Sequence, residues 1–485
     1  MKFNLSISLL LAVLFLGCGS DDNHEVAIEY KLQGLLAQNN VTGDASNGRT
    51  IPSITDAKAQ LGMKLFFTKS LGGDTDAACV TCHHPMLGGG DNLSLSIGVA
   101  AVTPDLLGEG RVHSDSAVNY DHGFAPVPRN APSTFNTVLW DSVLFWDGRL
   151  QSLDPSAGEN GDGAGIRTPD SAFGVADASA GANLVVAQAR FPVTSAEEMR
   201  GFVFEAGNNN TAVRTHLETR LNTPAAIDYI TNTWESEFTP VYGAGQVNFD
   251  NIVDAIGEYE RSQLFVNTPW KAYVQGNVNA ISTDAKRGAI LFYDSYENGG
   301  MNCVACHSGD FFTDESFHVM AIPQVGHGKG DGNEDDFGRM RETSDAADKY
   351  AFRTPTLLNT EVTGPWGHDG AYTSLRAVVA HMVNPDSAVS GYDFSQLDSN
   401  VKTTHTSENM TKSLAQLNAN RISGQSFHES VVVTESDIDA LVAFLQALTD
   451  PCVKNRECMS AWIPDNVAGP DSLQLNAIDQ NSDLL

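Results

Sequence analysis

Apolar positions recur along this chain with a helical period, and they do so twice in the same words. Gly62-Met63-Lys64-Leu65-Phe66-Phe67 and Gly288-Ala289-Ile290-Leu291-Phe292-Tyr293 are two versions of one phrase, so the chain carries an internal repeat. Thr55 and Ser282/Thr283 stand where the caps of these two helices are expected, with Leu and Phe turned inward. Asn251 to Phe265 presents Ile252, Ile256 and Tyr259 on one face, which predicts another helix. A last strong helix is predicted from the capping pattern Thr434-Glu435-Ser436-Asp437 through Ile438, Leu441, Val442, Leu445 and Leu448, stopping before Pro451. No alternating run of comparable strength competes, so the expected class is mainly α.

Three stretches lack that period. Asp154 to Asn183 is rich in Gly, Ala, Ser and Asp and reads as a long surface loop inserted at 154–183. Its carboxylates Asp154, Glu159 and Asp162 offer oxygen ligands for a cation, although a solvated loop is the simpler reading. From Asp471 onward the chain reads as a loosely held tail. At the other end, Met1-Lys2 is followed by the apolar run Leu5 to Leu16 and by Gly17-Cys18, the pattern of a secretory signal at 1–18. Cys18 after a small residue suggests a lipidated N-terminus, despite Phe15 and Leu16 where such signals usually carry Leu and a small residue. Residues 19–50 are then expected to form a tether, and no later segment is apolar enough to span a bilayer.

Composition narrows the partners. With 60 acidic against 29 basic residues, the net charge of −31 repels nucleic acid and anionic membrane surfaces; it suits a basic electron-donor protein, and equally it serves simply to keep an exported protein soluble.

Cysteine placement supplies the chemistry. Cys79-Val80-Thr81-Cys82-His83 and Cys303-Val304-Ala305-Cys306-His307 each have the spacing that attaches a c-type haem. Two thiols three residues apart add to the two vinyl groups of one porphyrin, and the adjacent His binds the iron. A zinc site built from both runs would not need His directly after the second Cys each time. Cys452 and Cys458 remain in the region 451–485, and in an exported protein a disulfide between them is expected. The chain therefore divides into a first haem unit at 51–245 and a second at 246–450, each cytochrome c-like.

The surroundings of the two runs resemble the bacterial di-haem cytochrome c peroxidases over residues 55–450. The resemblance is carried by Ala255-Ile256-Gly257-Glu258-Tyr259-Glu260-Arg261, by Cys303 to Gly309, by Phe352-Arg353-Thr354-Pro355-Thr356-Leu357 and by His368-Asp369-Gly370. It implies a C-terminal haem that receives electrons, with His and Met as axial ligands. Met382, 17 residues after Pro365 in Thr363-Gly364-Pro365, matches that Met. A thioether favours ferrous iron and raises the potential.

The same resemblance makes the N-terminal haem the peroxide site, with His83 on one side. His122, eight residues before Asn130, matches the family's distal His, with His113 and His84 as competitors. Gln188 and, ten residues later, Glu198-Met199 match its pocket residues. Beside a bound peroxide, a carboxyl group carries a proton from the near oxygen to the far one, so that the bond between them breaks heterolytically. Trp146 in Phe145-Trp146-Asp147-Gly148-Arg149 matches the aromatic relay between the haems, a place that packing alone would also fill. Asn130, Thr363 and Pro365 match the oxygen ligands of a Ca2+ between the domains.

One departure is large: 38 residues lie between Arg149 and Gln188, more than this family shows, and the extra loop is expected to bear on access to the peroxide pocket. The implied function is a peroxidase that reduces hydrogen peroxide with electrons from a small cytochrome c or cupredoxin. It would be periplasmic and lipid-anchored, in a family that is often dimeric. Two alternatives are a relative of the di-haem enzyme that matures methylamine dehydrogenase by oxidising a protein substrate, which carries Tyr in place of Met382, and a non-catalytic electron carrier.

Overall fold

The computed structural model describes residues 20–114, 124–163, 165–223, 228 and 230–485; the signal segment with Cys18, and His122, lie outside the described residues. In chain order the first helices are α1 (Ser20–Gln38), α2 (Ala57–Phe67), α3 (Leu184–Ala189), α4 (Asn210–Asn222), α5 (Trp234–Tyr242), α6 (Phe249–Arg261) and α7 (Pro269–Val274). There follow α8 (Thr283–Tyr293), α9 (Met340–Thr343), α10 (Leu375–Val383), α11 (Pro385–Ser390), α12 (Thr406–Ser423), α13 (Glu435–Gln446) and α14 (Arg456–Met459). Strands β1 (Val143–Leu144), β2 (Leu150–Ser152) and β3 (Ile166–Arg167) pair antiparallel, with Val143 opposite Gln151 and Gln151 opposite Arg167. β4 (Phe317–Val319) and β5 (Ala351–Arg353) pair with Phe317 opposite Arg353. Strands of two or three residues are too short to leave an alternating signature, and the class is mainly α as expected.

The repeat phrases build two equivalent helix crossings, α2 on α6 and α8 on α13. At the first, a Cβ on Gly62 would lie 1.9 Å from the carbonyl oxygen of Ala255; at the second, a Cβ on Gly288 would lie 1.9 Å from that of Ala440. Only glycine lets two helix backbones approach this closely. Phe66, Ile252, Ile256 and Tyr259 bury around the first crossing, and Phe292, Leu441 and Phe444 around the second, so each unit has its own core. The boundary expected at 246 is therefore too early, because α6 packs in the first unit.

Helix ends differ in detail from the sequence reading. Ser282 caps α8 by accepting from the Ala285 amide at 3.1 Å, and Thr434 and Asp437 form the expected capping box on α13. Thr55 does not cap α2: Asp56 holds that place without a side-chain cap bond, turned back to accept from the Ser53 amide at 2.9 Å. α6 ends at Arg261, short of Phe265, because the chain must leave the helix to cross between the units. There the Phe265 amide donates to Asn136 Oδ1 at 2.7 Å, and the Phe265 carbonyl accepts from Asn359 Nδ2 at 2.9 Å. Asn136 and Asn359 hold matching left-handed positions in the repeat, at φ 61° and 63°.

Two expectations about loose segments are corrected, and the surface loop at 154–183, mostly exposed as expected, is anchored at a few points. Residues 154–183 supply β3, bury Ile166 and Ala180 against Trp140, Leu144 and Leu184, and reach the second unit through an Arg167–Glu342 ion pair. Its apolar anchors are single residues, so no period betrays them. The stretch expected as a tether at 19–50 contains α1, whose Leu32 and Leu36 bury in the second unit's core; Lys31 pairs with Asp294 at 2.7 Å and Lys286 with Glu29 at 2.9 Å. The tail after Asp471 is held as well, but by the first unit. Leu475 and Ala477 enter its core, the Leu475 amide donates to the Phe67 carbonyl at 2.8 Å, and Trp234 Nε1 donates to Asp471 at 2.9 Å. Cys452 and Cys458 are disulfide-bonded, as expected. Among the described residues no helix is long and apolar enough to cross a membrane.

Candidate active site

A cavity of about 370 Å³ runs between the two units, and both Cys-x-x-Cys-His runs stand on its wall. The four motif cysteines are free of disulfides, and burial raises the Cys79 and Cys82 thiols and pushes Cys303 up to about 12. His83 Nδ1 donates to the Gly89 carbonyl at 3.1 Å and His307 Nδ1 to the Phe312 carbonyl at 3.0 Å. Each bond fixes the ring and leaves Nε2 as the lone-pair nitrogen, the arrangement of a metal-ligating histidine. Burial lowers both histidines, which keeps them in the neutral, ligating form. Paired thiols, a neutral imidazole and a largely apolar cavity fit a covalently attached haem at each run.

At the His83 end, Gln188 comes from α3 and Glu198 from a single π-helical turn, Ala196–Arg200. Such turns recur at functional sites because they re-aim a side chain. Two glycines clamp this one. The Gly73 amide donates to the Met199 carbonyl at 2.8 Å, a Cβ on Gly73 would meet the Arg200 carbonyl at 1.8 Å, and one on Gly98 would meet the Glu198 carbonyl at 2.2 Å. Burial raises Glu198, opposed by the cations of Arg149 and Lys329.

Trp146 lies on the same wall, with Nε1 donating to the Asn130 carbonyl at 2.9 Å and its carbonyl accepting from the Arg353 amide at 2.9 Å. Phe145 before it sits at φ 62°, an unfavourable conformation for a bulky residue and a mark of a constrained site. The guanidinium of Arg149 lies 3.7 Å from the Phe145 ring centroid. At the other end, Met382 on α10 lines the cavity with His307, as do Met301 and Met320. His381 beside it has both nitrogens engaged, by Tyr372 Oη at 2.7 Å and the Met320 carbonyl at 2.8 Å, so it has none to spare for iron.

A family model described as di-haem cytochrome c peroxidase matches residues 56–279. Over those residues the chain matches the di-haem cytochrome c peroxidase family, and curated relatives with that activity in their names are similar to it over about two thirds of its length. The two units are accordingly cytochrome c-like domains with one c-type haem each, and the protein is an oxidoreductase. Relatives in this family include methylamine utilization protein MauG of Methylorubrum extorquens, 28% identical over 68% of this chain and 69% of that one. Cytochrome c551 peroxidase of Pseudomonas aeruginosa is 26% identical over 68% and 73%. In fold, the chain is similar to the diheme peroxidase BthA of Burkholderia thailandensis, with a TM-score of 0.52 and 19% identity over 86% of this chain and 89% of that one.

Within this di-haem framework most of the residues expected from the sequence converge. Gln188, Glu198, Trp146, Asn130, Thr363, Pro365 and Met382 all face the cavity. Neither His84 nor His113 lines it; His84 instead accepts from the Met86 amide at 3.1 Å, capping a short turn. Among the described residues, none of 154–183 lines it either. Among the described residues the carboxylates of that loop do not gather into a group of three side-chain ligands. Among the described residues one such group stands out, Cys306, Asp314 and His318, and Cys306 is taken by haem attachment.

Other residues of the cavity carry no role that the sequence reading assigned. Arg129 is buried between Asp147, at 2.6 Å, and Asp336 of the second domain, at 2.7 Å. Arg353 stacks 3.7 Å from Trp140 and 5.8 Å from Trp146. His368, buried against Phe352 with ring centroids 3.6 Å apart, and Lys329 also reach the cavity. Each depends on a partner far away in sequence. A comparison of the two repeat halves would have flagged only His368, because Trp146-Asp147-Gly148 and His368-Asp369-Gly370 are equivalent.

Proposed function

We propose that the protein reduces hydrogen peroxide to water, H2O2 + 2H+ + 2e− giving 2H2O, with electrons delivered singly by a small cytochrome c or copper protein. The observation that carries this reading is the cavity that holds both motif histidines together with Trp146, Gln188, Glu198 and Met382. Bound there, the haems supply the iron chemistry, one binding peroxide and the other receiving electrons. Glu198, held by its clamped turn, takes the proton of the near oxygen and returns it to the far one, so that water leaves. Gln188 orients the substrate. Electrons enter beside His307 and Met382, and Trp146, fixed by Asn130, lies on the way to the His83 end.

His122 is the proposed sixth ligand of the resting centre. Asn130, Thr363 and Pro365 are the proposed Ca2+ ligands: the Asn130 amide group donates to the Leu93 and Ser94 carbonyls at 3.0 and 3.3 Å, which turns its oxygen away for a cation. The leader pattern supports a periplasmic protein anchored through Cys18, and the acidic surface a basic donor. Peroxide turnover by the partly reduced protein, with and without Ca2+, tests the reading; two intact haems with no turnover from any donor would overturn it.

A second reading, oxidation of a protein substrate, is favoured by the similarity to MauG. Met382 on the cavity wall speaks for the peroxidase, and a spectrum without a Met-ligated haem would reverse that preference.

A further inference from the structure

We propose that Lys329, a residue of the second domain, is a positioning residue of the first domain's peroxide pocket, keeping Glu198 ionised as a base and favouring anionic ligands there. This rests on the reading of Glu198 given above. The loop 326–338 leans onto the first domain: a Cβ on Gly326 would lie 2.3 Å from Leu95 Cδ1, and His327 Nε2 donates to the Pro126 carbonyl at 2.8 Å. The loop is braced from within, with the Lys329 amide donating to the Asp335 carbonyl at 3.1 Å and Gly328 too close to that carbonyl for any side chain.

Four carboxylates crowd this loop, and Lys329 ion-pairs with none of them. Asp331 pairs with Arg341, Glu334 with Lys402 and Asp336 with Arg129, while Asp335 accepts from Tyr350 Oη at 2.8 Å. The Lys329 side chain instead lines the cavity alongside Glu198, Gln188 and Arg149. Arg149 is already held by Asp147 and by the Phe145 ring. Lys329 is thus, like Arg353 on the same cavity wall, a cation without an ion pair among the described residues, and it is the one whose charge bears on Glu198.

The charged groups around it are Arg149, Arg129, Asp147 and Glu198. Burial and the two arginines push Lys329 down to about 8, against the pull of Asp147 and Glu198. Its positive charge is therefore largely present at neutral pH and is lost as pH rises through about 8. Burial favours protonated Glu198, and Lys329 opposes it. A base that must accept the first proton of peroxide near neutral pH needs that opposition.

The test uses the two-haem protein, half-reduced, as wild type, Lys329→Met, Lys329→Gln and Lys329→Arg. Fluoride affinity is read by optical titration from pH 6 to 9, with imidazole as the neutral ligand. Both neutral substitutions should weaken fluoride roughly tenfold at pH 7 and leave imidazole unchanged, while arginine restores fluoride. The wild-type advantage should fade above pH about 8. In peroxide reaction rates, Lys329→Met should move the acid limb to higher pH, and not when Glu198→Gln is also present. Fluoride affinity that is unchanged in the neutral variants, or that falls together with imidazole affinity, overturns the proposal even if peroxidase activity stands. If peroxide turnover fails in the wild type, the fluoride arm still decides the role of Lys329.

Discussion

A carboxyl group such as Glu198 works in the proposed reaction only if its surroundings tune it. Burial raises it, so its basic form is gained as pH rises through a value above the ordinary carboxylate range, and the peroxide reaction should lose rate on the acid side there. Glu198→Gln should slow that reaction by about 10²- to 10⁴-fold while reduction of the protein by its donor is unaffected, as stopped-flow measurements with each partner would read. Met382→Ala should act at the other end, lowering the potential of the C-terminal haem and removing its Met-ligated spectrum while sparing peroxide binding. Much of this site was legible in the sequence. The attachment runs are local chemistry, and Gln188, Glu198 and Met382 keep a register that survives whatever the intervening chain does. Lys329 was not legible, because a charge acquires its role from what folds against it, and nothing in Gly328-Lys329-Gly330 names Glu198.

At the scale of elements, the helix crossings are where sequence and packing meet most tightly. Gly62 and Gly288 have no room for a methyl group, whereas nothing lies within 4 Å of a Cβ built on Gly34 in α1. Gly62→Ala or Gly288→Ala should therefore destabilise its own domain by about 1–3 kcal/mol or more through overpacking. Gly34→Ala should stabilise by about 0.4–1 kcal/mol, since it only restricts the unfolded chain. Thermal unfolding followed at the haem bands would compare the three. The apolar period announced α2, α8 and α13 because each buries an apolar face against a main partner helix. It did not reveal how α1 or the tail is used: Leu32 and Leu36 mark a buried stripe, and Leu475 a buried point, but a stripe does not say which of two similar cores receives it.

Over the whole molecule the ends cross, the N-terminal arm closing the second domain's core and the C-terminal tail closing the first's. Neither domain is complete without chain from beyond the other, so the two are expected to unfold together while their interface holds. Among the described residues the interface holds a fully buried ionic centre, Arg129 between Asp147 and Asp336. Removing one partner of such a centre leaves an uncompensated charge in the interior and costs about 3–5 kcal/mol. Asp336→Asn should thus lower the melting temperature, separate a single calorimetric transition into two, and slow electron transfer between the haems. The same centre gives the acid response its sign. Burial would raise both carboxyls, but Arg129 outweighs it, holding Asp336 at about 2 and Asp147 lower still. Carboxyls depressed in the folded state stabilise it fully above their unfolded values near about 3.9, and the contribution drains away as pH falls through the folded ones. Wild-type protein should therefore lose stability between pH about 4 and about 2, and Asp336→Asn should show a smaller loss over that window from a lower starting point. An acid profile with the same slope in both proteins would remove Asp336 from the account of how the domains are held together.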